Sequence, residues 1–138
     1  MEDARSTGFT VIVTAATLAL WAAPVSTQQA SSVAGSDLFR TYCVACHGSD
    51  AKGTGPLADS LKRKPADLTA LAANNGGAFP ADMVAQIIDG RSPVKGHGGG
   101  DIPVWGEALL KTRDGGSETS VKERIDSIVV YLRGLQKK

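Results

Sequence analysis

The segment "CVACH", residues 43–47, constrains this chain more than any other feature, because it holds the only two cysteines of the sequence. On a helical turn, side chains at positions i and i+3 share a face. Cys43 and Cys46 are so spaced, and His47 follows at once. Two thiols in that arrangement can add to the two vinyl groups on one edge of a porphyrin. The imidazole then projects over the ring, where it can ligate iron. Cys-x-x-Cys-His is accordingly the pattern of covalent haem attachment. Two other readings use the same residues. A redox dithiol needs the same cysteine spacing but normally sits in a βαβ setting. A zinc site would need two more ligands, and only His47 and His97, the chain's two histidines, remain to supply them, which makes a poor structural site. Composition favours the first reading. Hydrophobic residues make up 42% of the chain but aromatics only 5%, and much of the apolar content lies in the first thirty residues. The remainder has a thin core for its length, and a covalently held cofactor would add apolar surface to bury.

The N-terminus reads as an export signal over residues 1–27. Arg5 supplies a positive residue, and the apolar stretch "GFTVIVTAATLALWAAPV" runs from Gly8 to Val25. Cleavage is expected between Ala23 and Ala30. If the segment is retained, it is long enough to anchor the chain in a bilayer. The expected location is therefore the periplasm, with membrane contact only through an uncleaved leader. The chain carries 15 basic and 14 acidic residues, a balance that argues against nucleic acid as a partner. The run Lys62, Arg63, Lys64 is a local basic patch, read either as a solvated face or as a docking patch for an acidic protein.

Residues 28–34 read as a polar linker and 35–138 as one domain. A first helix is expected to open at Ser36 as N-cap. Glycines and a proline mark a loop over 48–56. Short helices are expected over 57–63 and 67–73, with a turn at Asn74–Gly77. A helix should run from Pro80 to Asp89, with Val84, Ile87 and Ile88 on its apolar side and Gly90 as its stop. Residues 91–106 read as a glycine-rich loop, and Gly106–Thr112 as a short helix. Ser117 caps a last helix from Glu118 to about Gln136, whose buried stripe is Val121, Ile125, Ile128, Val129, Leu132 and Leu135. No alternating strand pattern is visible, so the fold class is all-α, with the first and last helices as the natural packing pair. Phe39 and Tyr131 belong where those helices cross. Arg91 reads as a solvated loop arginine or a propionate partner.

Over about Gly35 to Leu135 the sequence resembles a small bacterial class I cytochrome c. The resemblance rests on "CVACHG", "DAKGTGP", "IIDG", "HGGGDIPVWG" and the last helix with its "YL". It implies three main helices and several short ones around a single covalent haem c. It also implies thioethers at Cys43 and Cys46, and His47 as the proximal iron ligand. Pro56 matches the proline whose carbonyl holds the proximal histidine in that family. Trp105 reads either as a cover for a haem edge or its propionate, with its N–H donating, or as packing alone.

The chain departs from the family at one position. The "PVWG" segment is normally preceded by the methionine that serves as sixth iron ligand; here that residue is Ile102, whose side chain has no lone pair. Three readings follow. The iron is open or takes an exogenous ligand, with Ile102 as an apolar wall. Or His97 reaches it through the glycine-rich loop. Or Met83, the only methionine besides Met1, is recruited. The function the resemblance implies is single-electron transfer between periplasmic redox partners, without enzymatic turnover. One competitor is an open-site haem protein that binds small gases or peroxide, with weak peroxidase activity. Another is an accessory subunit docked on an oxidase or dehydrogenase.

Overall fold

A computed structural model describes residues 27–91, 104–112 and 116–137. These residues form five α-helices and no strand. They are α1 (Thr27–Tyr42), α2 (Val44–His47), α3 (Ala81–Asp89), α4 (Trp105–Leu110) and α5 (Glu118–Gly134), with single 3-10 turns at Ala58–Ser60, Leu68–Ala70 and Ala73–Asn75. No helix among them is long and apolar enough to cross a membrane; of the expected export signal over 1–27, residues 1–26 lie outside the described residues.

The frame is the α1/α5 pair, which pack along their lengths. In α5 the buried residues are Val121, Ile125, Ile128, Val129 and Leu132, a spacing of three and four that puts them on one stripe. Leu135, expected on the same stripe, is half-buried just past the helix end. The start of α5 is fixed by a reciprocal cap. Ser117 Oγ accepts from the Ser120 backbone N–H at 3.2 Å, and Ser120 Oγ accepts from that of Ser117 at 3.4 Å. Phe39, 1% exposed, stacks against Tyr131 with ring centroids 5.4 Å apart. One turn before it, Gly35 is where the two backbones meet. A Cβ there would overlap the Ser127 carbonyl and crowd the Tyr131 Cβ, so only glycine permits this approach.

The first helix is already formed at Thr27, nine residues before the expected start, so the stretch taken as a linker is helical. Ser36 is not its cap. Inside the helix, its hydroxyl donates back to the Val33 carbonyl at 2.8 Å, the bond a serine makes when it has no helix start to serve. The glutamines and alanines of "TQQA" form helix readily, and this added turn lies against the end of α5, where Gln28 and Ser32 face Val130 and Arg133 across a shallow groove.

α3 buries Val84 and Ile88 as its periodicity predicts, and the Gly90 N–H closes it on the Gln86 carbonyl at 3.0 Å. α4 begins at Trp105, one residue before the expected Gly106. The expected helices over 57–63 and 67–73 shorten to single 3-10 turns. Arg91, expected as a solvated loop arginine or a propionate partner, is exposed and ion-paired. Its guanidinium joins Asp89 (Nε–Oδ1 2.6 Å) to Glu118 (Nη1–Oε2 2.8 Å), tying the end of α3 to the start of α5.

Candidate haem site

The Cys-x-x-Cys-His segment continues directly from α1. The Cys43 N–H donates to the Phe39 carbonyl at 2.9 Å, and the His47 N–H to the Cys43 carbonyl at 2.9 Å. The motif is thus one helical turn set on the end of the frame. A helix this short leaves its last carbonyls without partners of their own. The loop that follows turns back to meet them: Gly53 N–H donates to His47 O (2.8 Å), Gly55 N–H to Cys46 O (3.1 Å) and Leu57 N–H to Ala45 O (2.9 Å). Gly55 lies so close over α2 that a Cβ would meet the Val44 and Ala45 carbonyl oxygens at 2.5 Å. The glycine-rich "GTGP" stretch is therefore a wrap that fixes the orientation of the motif.

His47 is nearly buried, at 9% exposure. Its Nδ1 lies 3.2 Å from the Ala66 carbonyl oxygen. A carbonyl in that place accepts a hydrogen bond from Nδ1–H and leaves the lone pair on Nε2, the state a metal-binding imidazole needs. The resemblance assigns this acceptor role to Pro56. The structure sets the Ala66 carbonyl there, while Pro56 sits exposed in the turn after the wrap. The segment carrying Ala66 is brought in from the other side by the Leu68 N–H, which donates to Ala51 O at 2.8 Å.

Cys43, Cys46 and His47 all line one cavity of about 340 Å³, within the range of small-molecule sites. Phe39 and Tyr42 of α1, Ile128 and Leu132 of α5, and Leu109 of α4 close its back. α3 contributes Val84, Ile87 and Ile88, and Leu61, Leu68 and Leu71 come from the irregular segment. Trp105 lines it too, its ring tilted against Tyr42 with centroids 5.3 Å apart. Charge appears only through Arg63 and Lys64, both exposed residues. An apolar slot with two thiols and one oriented imidazole on one wall fits a haem. The large apolar face can be buried, the thiols and the imidazole line the same cavity, and cations are at hand for an acidic edge.

The alternative chemistries fit less well. The Cys43 thiol is pushed up to about 12, first by burial and then by its neighbour Cys46. Redox-active Cys-x-x-Cys pairs need the opposite, a thiol lowered towards neutrality. Among the described residues, no three His, Cys, Asp or Glu side chains group to hold a metal ion.

The structure brings together Cys43, Cys46, His47 and Trp105. It does not bring Met83 to them: that side chain is 57% exposed and is not among the cavity-lining residues. Val84, Ile87 and Ile88 take the inner face of α3, and Met83 falls outside it by helical phase. His97 and Ile102 lie outside the described residues. What sequence reasoning missed is the Ala66 carbonyl, a backbone group that no residue type announces.

Comparison with curated proteins and with solved structures finds no match. A family model described as "Cytochrome c" matches residues 32–104, about half the chain. That span begins inside α1, contains the motif, the wrap and α3, and ends just before α4. With its all-helical fold and its slot beside the two thiols and His47, the chain belongs to the cytochrome c family and is a class I c-type cytochrome, a carrier of electrons on covalent haem c for redox protein partners.

Proposed function

We propose that this cytochrome is exported to the periplasm and passes single electrons between redox proteins there. Cys43 and Cys46 would carry the thioethers, and His47 would hold the iron through Nε2. The observation that carries this reading is the shared cavity: both thiols and an imidazole with its Nδ1 on a carbonyl line one apolar slot. The haem supplies the one-electron couple of its iron. The chain does the rest. The Ala66 carbonyl holds the Nδ1 proton and so makes Nε2 a stronger donor, which favours the oxidised metal. The aliphatic side chains of α3 and α5 exclude water, which raises the cost of added charge. Trp105 and Tyr42 close one side as a packed aromatic pair.

The partner is an acidic protein face. Lys62, Arg63 and Lys64 are exposed in sequence succession, and the last two reach the rim of the cavity. A basic rim beside a haem edge speeds encounter with a negative partner and does so less at high salt. The same patch suits docking on a larger oxidase or dehydrogenase, in which case the protein co-purifies with it and salt releases it.

A second reading is motivated by Ile102. Of the chain's two methionines, Met1 belongs to the expected export signal and Met83 is an exposed residue of α3. Without a thioether on iron, the potential falls and the distal position admits small ligands. The test is one set of absorption spectra, oxidised and reduced, with and without carbon monoxide. We expect the spectrum of haem c, no thioether charge-transfer band, and a ready shift under carbon monoxide. Ile102→Met should restore the band, raise the potential and block the gas. A wild-type spectrum indifferent to saturating gas would sink the open-site reading and leave the carrier with His97 as ligand.

A further inference from the structure

The segment that presents the Ala66 carbonyl to His47 has almost no structure of its own. Between Pro65 and Ala72 it makes one 3-10 turn. It is held from the motif side by the bond from Leu68 N–H to Ala51 O. On its other side stands one side chain from the far end of the chain. The Gln136 carboxamide accepts from Ala72 N–H at 2.9 Å and donates to Leu68 O at 2.8 Å. It also donates to Leu132 O at 2.7 Å, which anchors it to the last turn of α5. Both its donor hydrogens and its acceptor oxygen are thereby engaged, and the residue is half-buried. The backbone N–H of Lys137 adds a bond to Thr69 O at 3.1 Å.

We propose that Gln136 is a positioning residue for the proximal haem ligand. It clamps residues 68–72 to the end of α5, and through them fixes the Ala66 carbonyl on which His47 Nδ1 rests. This proposal rests on the haem reading above. The chain of contact is short. Leu68 is two residues from Ala66, and the Leu68 carbonyl is one of Gln136's partners. Removing the carboxamide leaves a part-buried carbonyl and N–H without those partners, which the segment can satisfy only by moving towards water. The Ala66 carbonyl moves with it. The bond to Nδ1 then lengthens, the imidazole loses basicity, and the oxidised iron loses stabilisation relative to the reduced.

The test uses the full chain matured with haem. Gln136→Ala removes all three bonds. Gln136→Glu keeps the shape and the bond from Ala72 but loses both donations, and serves if the alanine variant does not accumulate. Lys137→Ala removes only the side-chain pair with Asp67 and keeps the backbone bond. The readouts are midpoint potential and the exchange of the His47 Nδ1 proton followed by its shifted nuclear magnetic resonance signal. We expect Gln136→Ala to raise the potential and to speed that exchange roughly tenfold, the size of one lost hydrogen bond. Gln136→Glu should move both the same way, and Lys137→Ala neither. Haem-bearing Gln136 variants that lose stability but keep the wild-type potential and exchange overturn the proposal and leave Gln136 a structural residue. Wild-type protein that matures without covalent haem overturns the haem reading and this one with it.

Discussion

Between α1 and α5 the contact runs through Gly35 against Ser127 and Tyr131 and through the Phe39–Tyr131 ring pair, beside the buried apolar stripe of α5. The wall opposite, residues 48–78, is built otherwise. It contains only three 3-10 turns and keeps its shape by bonds between backbone groups and a few side chains: the wrap on α2, the Asp50 and Asp67 turns, and the Gln136 carboxamide. Apolar packing tolerates small errors because many weak contacts share the load. A hydrogen-bonded wall does not, since each bond fixes one group. The helix pair therefore serves as frame, and the irregular wall sets the geometry at His47.

The sharpest way to break this comparison is to remove what lies between the two regions. A cavity of 340 Å³ left unfilled would cost roughly 8 kcal/mol at about 24 cal/mol per Å³. That is of the order of the whole stability of a small domain. The double variant Cys43→Ala, Cys46→Ala should therefore lose cooperative thermal unfolding and the near-ultraviolet signal of Trp105, with helical content partly retained. A sharp transition in that variant would mean the helix pair sustains the fold alone.

The frame itself is tested next, in haem-bearing protein. Phe39→Ala should cost about 3–5 kcal/mol in urea unfolding with an unchanged slope. Gly35→Ala is the more pointed change. Alanine is the better helix former, yet its Cβ would lie on the Ser127 carbonyl. We expect destabilisation, and a gain in stability would show that the helices can part at no cost.

The two regions also differ in how far the sequence discloses them. The α5 stripe, the Ser117 cap and the inner face of α3 follow from period and capping chemistry, and the structure has them where the spacing puts them. The motif too is legible, since a haem site needs named side chains at fixed intervals. The wall is not. Which carbonyl meets His47 is decided by how residues 65–72 lie against Ala51 and Gln136, and every residue carries a carbonyl. The pairing of Gln136 with Leu68 spans 68 positions, and a lone glutamine past a helix end carries no mark of its target. The early start of α1 escaped for a related reason. Its first turns, as a polar run, show little amphipathic pattern, and their place beside α5 supplies what propensity alone does not settle.

The smallest effect concerns acid. Asp50 and Asp67 each close a turn within the wall. Asp50 accepts from Lys52 N–H and Thr54 Oγ1, and Asp67 from Thr69 Oγ1 and N–H. These bonds hold both carboxyls below the usual carboxylate range, through the Lys52 backbone bond for Asp50 and the Thr69 side-chain bond for Asp67. A carboxyl lowered on folding stabilises the folded state at pH values above its unfolded pKa, near 3.9 for aspartate. That contribution drains as pH falls further, through the lowered native value. Amides of 50–54 and 67–72 should thus lose protection from hydrogen exchange on acidification, after correction for intrinsic rates, before those of α1 and α5 do. Asp67→Asn keeps an oxygen to accept from Thr69 but cannot titrate, so it should flatten the response at 67–72 and leave that at 50–54 unchanged. Protection lost in the wall and the helix pair together, at one pH, would mean that the two regions unfold as a single unit and that the division drawn between them has no energetic meaning.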